Sequence, residues 1–148
     1  MPHFGLMDEN ILGPVESLLM RARLHIRGGK RRLCQGKISL GIITLYDGLI
    51  CAMQWYIAKP GHKNNFMLNE DEDQRNDRDI FRALVRSGVI NSGFDYNAFD
   101  DLAGKALYQD MSSYDFSGML KGIESVMTRL GVMPFDENEL PPEDPETV

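Results

Sequence analysis

Between Gly36 and Lys59 apolar side chains occupy nearly every position of a helical wheel. A helix that is hydrophobic all round must be surrounded by protein or by lipid. Its polar members are few: Ser39, Thr44, Asp47 and Gln54. Thr44, Asp47, Cys51 and Gln54 fall at i, i+3, i+7 and i+10, along one narrow strip, and Gly41, Gly48 and Ala52 line an adjacent strip of small side chains. The pattern predicts a central helix with one tight, faintly polar seam. Upstream, Val15, Leu18, Leu19, Ala22, Ile26 and Leu33 recur at helical spacing, which predicts a helix from Pro14 to Gln35 with proline in its first turn and Gly36 as its stop. Gly28-Gly29 weakens that helix by roughly 1 kcal/mol per glycine and marks a candidate kink. The turn between the two is so short that they should pair as an antiparallel hairpin.

Lys59-Pro60-Gly61 ends the second helix, because proline lacks the N–H and glycine permits a turn. Residues His62 to Asp77 are polar and acidic around a small Phe66, Met67, Leu68 cluster and read as a long, mobile surface loop. A third helix is predicted from Asp77 to Ser87, with Ile80, Phe81, Leu84 and Val85 inward and Gly88 closing it. The fourth should begin near Asp95 or Asn97 and place Phe99, Leu102, Ala103, Ala106 and Leu107 on one face. The fifth takes Asp115 or Ser113 as its cap, carries Phe116, Met119, Leu120, Ile123, Val126, Met127 and Leu130 inward, and ends at Gly131. No segment has the pattern of a strand. The expected fold is all-α, an up-and-down bundle of four to five helices over residues 1–132. An acidic tail with four prolines over 133–148 should be extended or disordered.

Composition adds little to this picture: 148 residues, 43% hydrophobic and 26% charged, suit one domain with a real core. It does bear on one alternative, since Ile38 to Ile57 is long enough to span a bilayer. Against that stand the central Asp47, which costs about 2.5–3.5 kcal/mol on insertion scales, and a mean hydropathy of −0.30. A buried core helix, with no membrane, is the better reading. Cys34 and Cys51 sit in helices and form no CxxC or zinc spacing, so the chain should belong to a reducing, cytoplasmic setting with no structural metal or cofactor.

Charge changes the picture more. The net charge of −6 conceals seven basic residues between Arg21 and Lys37 with no acid among them, against an acidic stretch from Glu70 to Asp79 and an acidic C-terminus. Arg23, Arg27, Lys30 and Arg31 fall at i, i+4, i+7 and i+8 and form a basic stripe on the face of the first helix opposite its apolar one. Arg21, His25 and Arg32 flank its other edge. Such a stripe suits a phosphate or nucleic-acid contact surface, or else is a solvated face, or one partly neutralised by the chain's own acidic loop or tail. No aromatic residues interleave with it, which argues against stacking on single-stranded bases. Asp47, in the most apolar helix, needs a partner or a shifted pKa. With Arg21 and His25 it is the candidate for a non-standard site of a nuclease or nucleotide hydrolase. His3, His25 and His62 have no metal-ligand spacing, and no P-loop, GxGxxG or GxSxG occurs.

Ala22 in the first helix, Gly36 at the turn, and Gly41, Tyr46, Gly48 and Ala52 in the second resemble the first hairpin of the HEPN family of helical bundles. The resemblance covers about 45 residues. It implies the bundle fold, symmetric dimerisation, a nucleotide-binding role and pairing with a nucleotidyltransferase, and the apolar content of the second helix also points to a homodimer. The HEPN ribonucleases carry an Arg followed four to six positions later by His in their last helix. Here every histidine lies before the midpoint, so that site is not carried over and no catalytic residue is assigned. The function expected from the sequence is therefore non-catalytic binding of RNA, a nucleotide or an acidic protein, with a pure protein-interaction module as the competing non-enzymatic reading.

Overall fold

A computed structural model describes residues 12–91, 93–143 and 145. His3 and the rest of the N-terminal arm lie outside the described residues. Among the described residues five helices have their full bounds: α1 (Pro14–Cys34), α2 (Ile38–Ala58), α3 (Asp77–Arg86), α4 (Tyr96–Ala106) and α5 (Ser117–Leu130). There is no strand among the described residues. The fold is an all-α bundle whose first two helices form a tightly packed hairpin.

The hairpin turn is built by one glycine. Gly36 adopts φ +80°, a left-handed conformation that releases its own N–H to the carbonyl of Leu33 (3.1 Å) and the Lys37 N–H to that of Arg32 (2.9 Å). These bonds satisfy the last carbonyls of α1 and reverse the chain. Along the hairpin, glycines set the distance. A Cβ added at Gly41 would stand 2.7 Å from the Leu33 side chain and 3.1 Å from the Gly29 carbonyl, and one at Gly48 would stand 3.1 Å from His25 Cβ. Gly28-Gly29 does not interrupt α1, which runs unbroken through both. Gly29 is the recess into which Leu45 packs.

Helix α2 is the core. Ile42, Leu45, Leu49, Ala52 and Met53 are wholly buried, and full burial of each large side chain contributes about 1.5–3 kcal/mol. The helix is long and apolar enough to cross a membrane, but most of that stretch is packed inside the bundle. Helices α3, α4 and α5 cover it, presenting Ile80 and Leu84, Phe99 and Ala103, and Ile123, Met127 and Leu130.

Local signals start the shorter helices. Asn76 caps α3 by accepting from the Asp79 N–H (3.1 Å), and Asp95 caps α4 by accepting from the Ala98 N–H (3.0 Å). Asp115 holds the Ser117 N–H and hydroxyl at the start of α5. The segment from His62 to Asp77 is a surface loop that is tied down: Asn65 donates to the Tyr56 hydroxyl, and Arg86 reaches back to Glu72 and the Met67 carbonyl.

Candidate anion-binding face

The basic stripe on α1 does not face open solvent. After α5 the chain turns back across α1, and the segment from Val132 to Glu143 lies over the stripe. Arg23 donates from Nε to the Val132 carbonyl at 3.0 Å, and its guanidinium stands 5.6 Å from the centre of the Phe135 ring. Further along, Glu143 is placed between two arginines one helical turn apart. Its carboxylate lies 2.8 Å from Arg31 Nε and 3.6 Å from Arg27 Nε. All three side chains are at least four-fifths buried: Arg27 is 13%, Arg31 18% and Glu143 17% exposed. Lys30 pairs with Glu124 of α5 at 3.3 Å in a more open position, where an ion pair is worth little.

Arg32, which the helical wheel puts at the edge of the stripe, is buried. Burial first, and then the adjoining Arg31 charge, pull its pKa below the ordinary arginine value, with Glu143 opposing. The crowding follows from spacing, since Arg27, Lys30, Arg31 and Arg32 lie within two turns of one helix. A carboxylate at this point relieves mutual repulsion between cations that are largely removed from water.

The second candidate group lies on the hairpin seam. His25 is 1% exposed, and its Nδ1–H donates to the Arg21 carbonyl at 2.7 Å, so α1 turns it toward α2 rather than outward. It packs against Gly48, and Asp47 is half-buried beside it. Burial raises the Asp47 pKa and the His25 charge opposes the rise. Cys51, one turn along, is buried, and burial pushes its thiol up to about 11, with nearby Arg21 opposing. Arg21, His25, Asp47 and Cys51 thus form one cluster, in which the thiol is protonated at neutral pH. Thr44 donates to the Leu40 carbonyl at 2.7 Å, and Gln54 donates to Asp77 at 3.3 Å. Among the described residues no group of three or more His, Cys, Asp and Glu is placed to hold a metal ion.

Three residues that complete the α1 face are absent from any helical-wheel reading of α1: Glu124, Phe135 and Glu143. The acidity of the tail is plain in the sequence, but where it lands depends on the direction in which α5 delivers it.

Set against family models, curated proteins and solved structures, the chain matches none.

Proposed function

We propose that this is a non-catalytic helical-bundle protein whose α1 face, centred on Arg27 and Arg31, takes an anionic group from a partner. The observation that carries the reading is the seat of Glu143. Two guanidiniums at i, i+4, largely shielded from water, hold one carboxylate between them, and a phosphate or carboxylate from another molecule has the same charge and a similar oxygen geometry. The tail is an internal competitor that such a partner displaces, entering at Lys30, which is more exposed than Arg27 or Arg31. The basic face favours RNA or a nucleotide as the partner, in keeping with the resemblance to HEPN bundles, and the two free cysteines favour a cytoplasmic setting. The same resemblance, with the high apolar content of α2, favours pairing with a second copy. Leu40, Leu107 and Tyr108, exposed apolar residues brought to one end of the bundle where Ser39 bonds the Gln109 carbonyl, offer surface for it.

The test is fluorescence anisotropy with a single-stranded RNA oligonucleotide at low salt, with an oligoglutamate peptide in parallel. Removing the competing charge with Glu143→Gln should tighten RNA binding about tenfold, the scale of one charge-assisted contact. Arg27→Ala with Arg31→Ala should weaken it and lower the salt slope by roughly 0.7 per lost phosphate contact. Preference for the peptide would move the reading to an acidic protein partner. If the Glu143→Gln protein retains neither probe, the face is a structural clasp for the tail. A monomeric mass by light scattering would remove the homodimer.

A further inference from the structure

We propose that the cleft between α3 and α4 is a second binding site, one that takes a small, flat, aromatic anion. The site shares no residue with the α1 face and stands independently of it. The cleft encloses about 640 Å³, inside the range of roughly 300–1,000 Å³ typical of small-molecule sites. Its two sides differ in chemistry, and the one carboxylate in its lining, Asp95, is engaged in capping α4. One is aromatic: Phe81 and Tyr96 stack with ring centres 5.0 Å apart, and Phe94 stands 5.8 Å from Phe81. The first two rings are buried, whereas Phe94 is only half-buried and lines the open cleft. Phe94 is held from behind, since a Cβ added at Gly122 of α5 would lie 3.1 Å from its ring.

The other side is cationic. Arg78, Arg82 and Arg86 follow one another at i, i+4 and i+8 along α3, and all three line the cleft. Their engagement is unequal. Arg86 is fixed by Glu72, with contacts of 3.0 and 2.7 Å, and by the Met67 carbonyl at 2.7 Å. Arg78 is fixed by Asp100 at 2.8 Å. Arg82, between them, meets Asp79 at 3.6 Å, and its side chain is 60% exposed. The geometry is therefore an exposed, loosely paired guanidinium beside an aromatic wall, flanked by two cations that the protein's own acids hold in place. A ring lying on Phe94 with an anionic substituent reaching Arg82 satisfies both sides at once. A neutral aromatic leaves the arginine unmatched, and an inorganic anion leaves the wall wet.

The test is an amide chemical-shift titration of the full chain with two matched pairs of probes, indole-3-acetate against indole-3-acetamide, and AMP against adenosine. The acid of at least one pair should shift amides of Phe94 to Asn97 and of Arg78 to Arg86, with its neutral analogue about tenfold weaker. The pair with the larger effect distinguishes a carboxylate from a phosphate ligand. Arg82→Ala should weaken the acid about tenfold, and Phe94→Leu, which keeps an apolar side chain while removing the ring, should weaken acid and neutral analogue alike. The proposal is overturned if millimolar acid leaves these amides unmoved, if Arg82→Ala binds as well as the parent, or if the shifts fall on α1 around Arg27 and Arg31 instead.

Discussion

Tyr46 of α2 donates its hydroxyl to Asp100 of α4 at 2.6 Å. The same carboxylate receives Arg78 from α3 at 2.8 Å, so three helices meet at one acid. Burial, then the bond to Asp100, raises the Tyr46 pKa above the ordinary tyrosine value of 10.0. For an acid raised in the fold, the sign is fixed: the unfolded tyrosine ionises first, so stability is intact below pH 10 and falls above it. Tyr46→Phe should cost about 1–2 kcal/mol in urea unfolding at pH 7, because a part-buried carboxylate loses a charge-assisted bond. The variant should also lose less stability than the parent between pH 9 and pH 11. Equal losses in both would mean that the hydroxyl is not the group responsible.

The glycines of the hairpin make an opposed pair of predictions with those of the surface. Gly41→Ala gains roughly 1 kcal/mol of helix propensity but drives a Cβ to 2.7 Å from Leu33 and 3.1 Å from a backbone carbonyl. Overpacking of this kind costs about 1–3 kcal/mol, and the carbonyl cannot rotate away as a side chain would. The variant should be less stable than the parent. Gly104→Ala, inside α4 with nothing within 4 Å of its new Cβ, should be more stable by up to about 1 kcal/mol. Thermal unfolding of the two variants side by side checks both signs. A stabilised Gly41→Ala would show that the hairpin has room to open.

These two cases also mark what the sequence made legible. Period and punctuation placed helices α1 to α5, because Pro14, Gly36, Pro60, Asp95 and Gly131 act locally and the apolar stripes are long. The small strip of Gly41, Gly48 and Ala52 was readable as a close approach for the same reason. The environment of the basic stripe was not. A helical wheel separates apolar from charged positions on α1, but it carries no information about a segment more than 100 positions later returning over that face. Hence His25 and Arg32 look like flanks of a solvated surface and are buried. Nor does the spacing of Arg78, Arg82 and Arg86 reveal that Phe94 and Tyr96 stand opposite them. That depends on the loop between α3 and α4.

Asp47 and His25 give a prediction in which the direction decides between two roles. Burial raises the Asp47 pKa above 3.8, although the charge of His25 opposes the rise. Below that pH the group is protonated in both folded and unfolded chains and costs nothing. As pH rises through the unfolded and then the folded value, the fold must ionise a half-buried carboxyl and stability drops, remaining lower beyond. Asp47→Asn should therefore unfold at higher urea than the parent at pH 7, with the difference closing near pH 3.5. A variant less stable than the parent at pH 7 would show instead that the fold relies on the ionised carboxylate.

Glu72 and Arg86 run the opposite way. The Arg86 guanidinium, followed by the Asn69 N–H, holds the Glu72 carboxyl down to about 2, from an ordinary 4.5. A carboxylate depressed in the fold contributes stability above the unfolded value and loses it as pH falls toward the folded one, so the window here lies between pH 4.5 and 2. The Glu72 side chain is covered, at 2% exposed, but its partner Arg86 is 38% exposed, and solvent screening there keeps the pair's energetic weight small, so the informative readout is the titration itself. Carboxyl-carbon NMR should show Glu72 as one of the last glutamates to protonate, with a midpoint near 2. In Arg86→Ala the midpoint should move up toward 4.5, and because Arg86 also holds the Met67 carbonyl at 2.7 Å, amide exchange across residues 66–73 should quicken with it. A Glu72 midpoint unchanged by the substitution would leave the Asn69 N–H as the group that sets it.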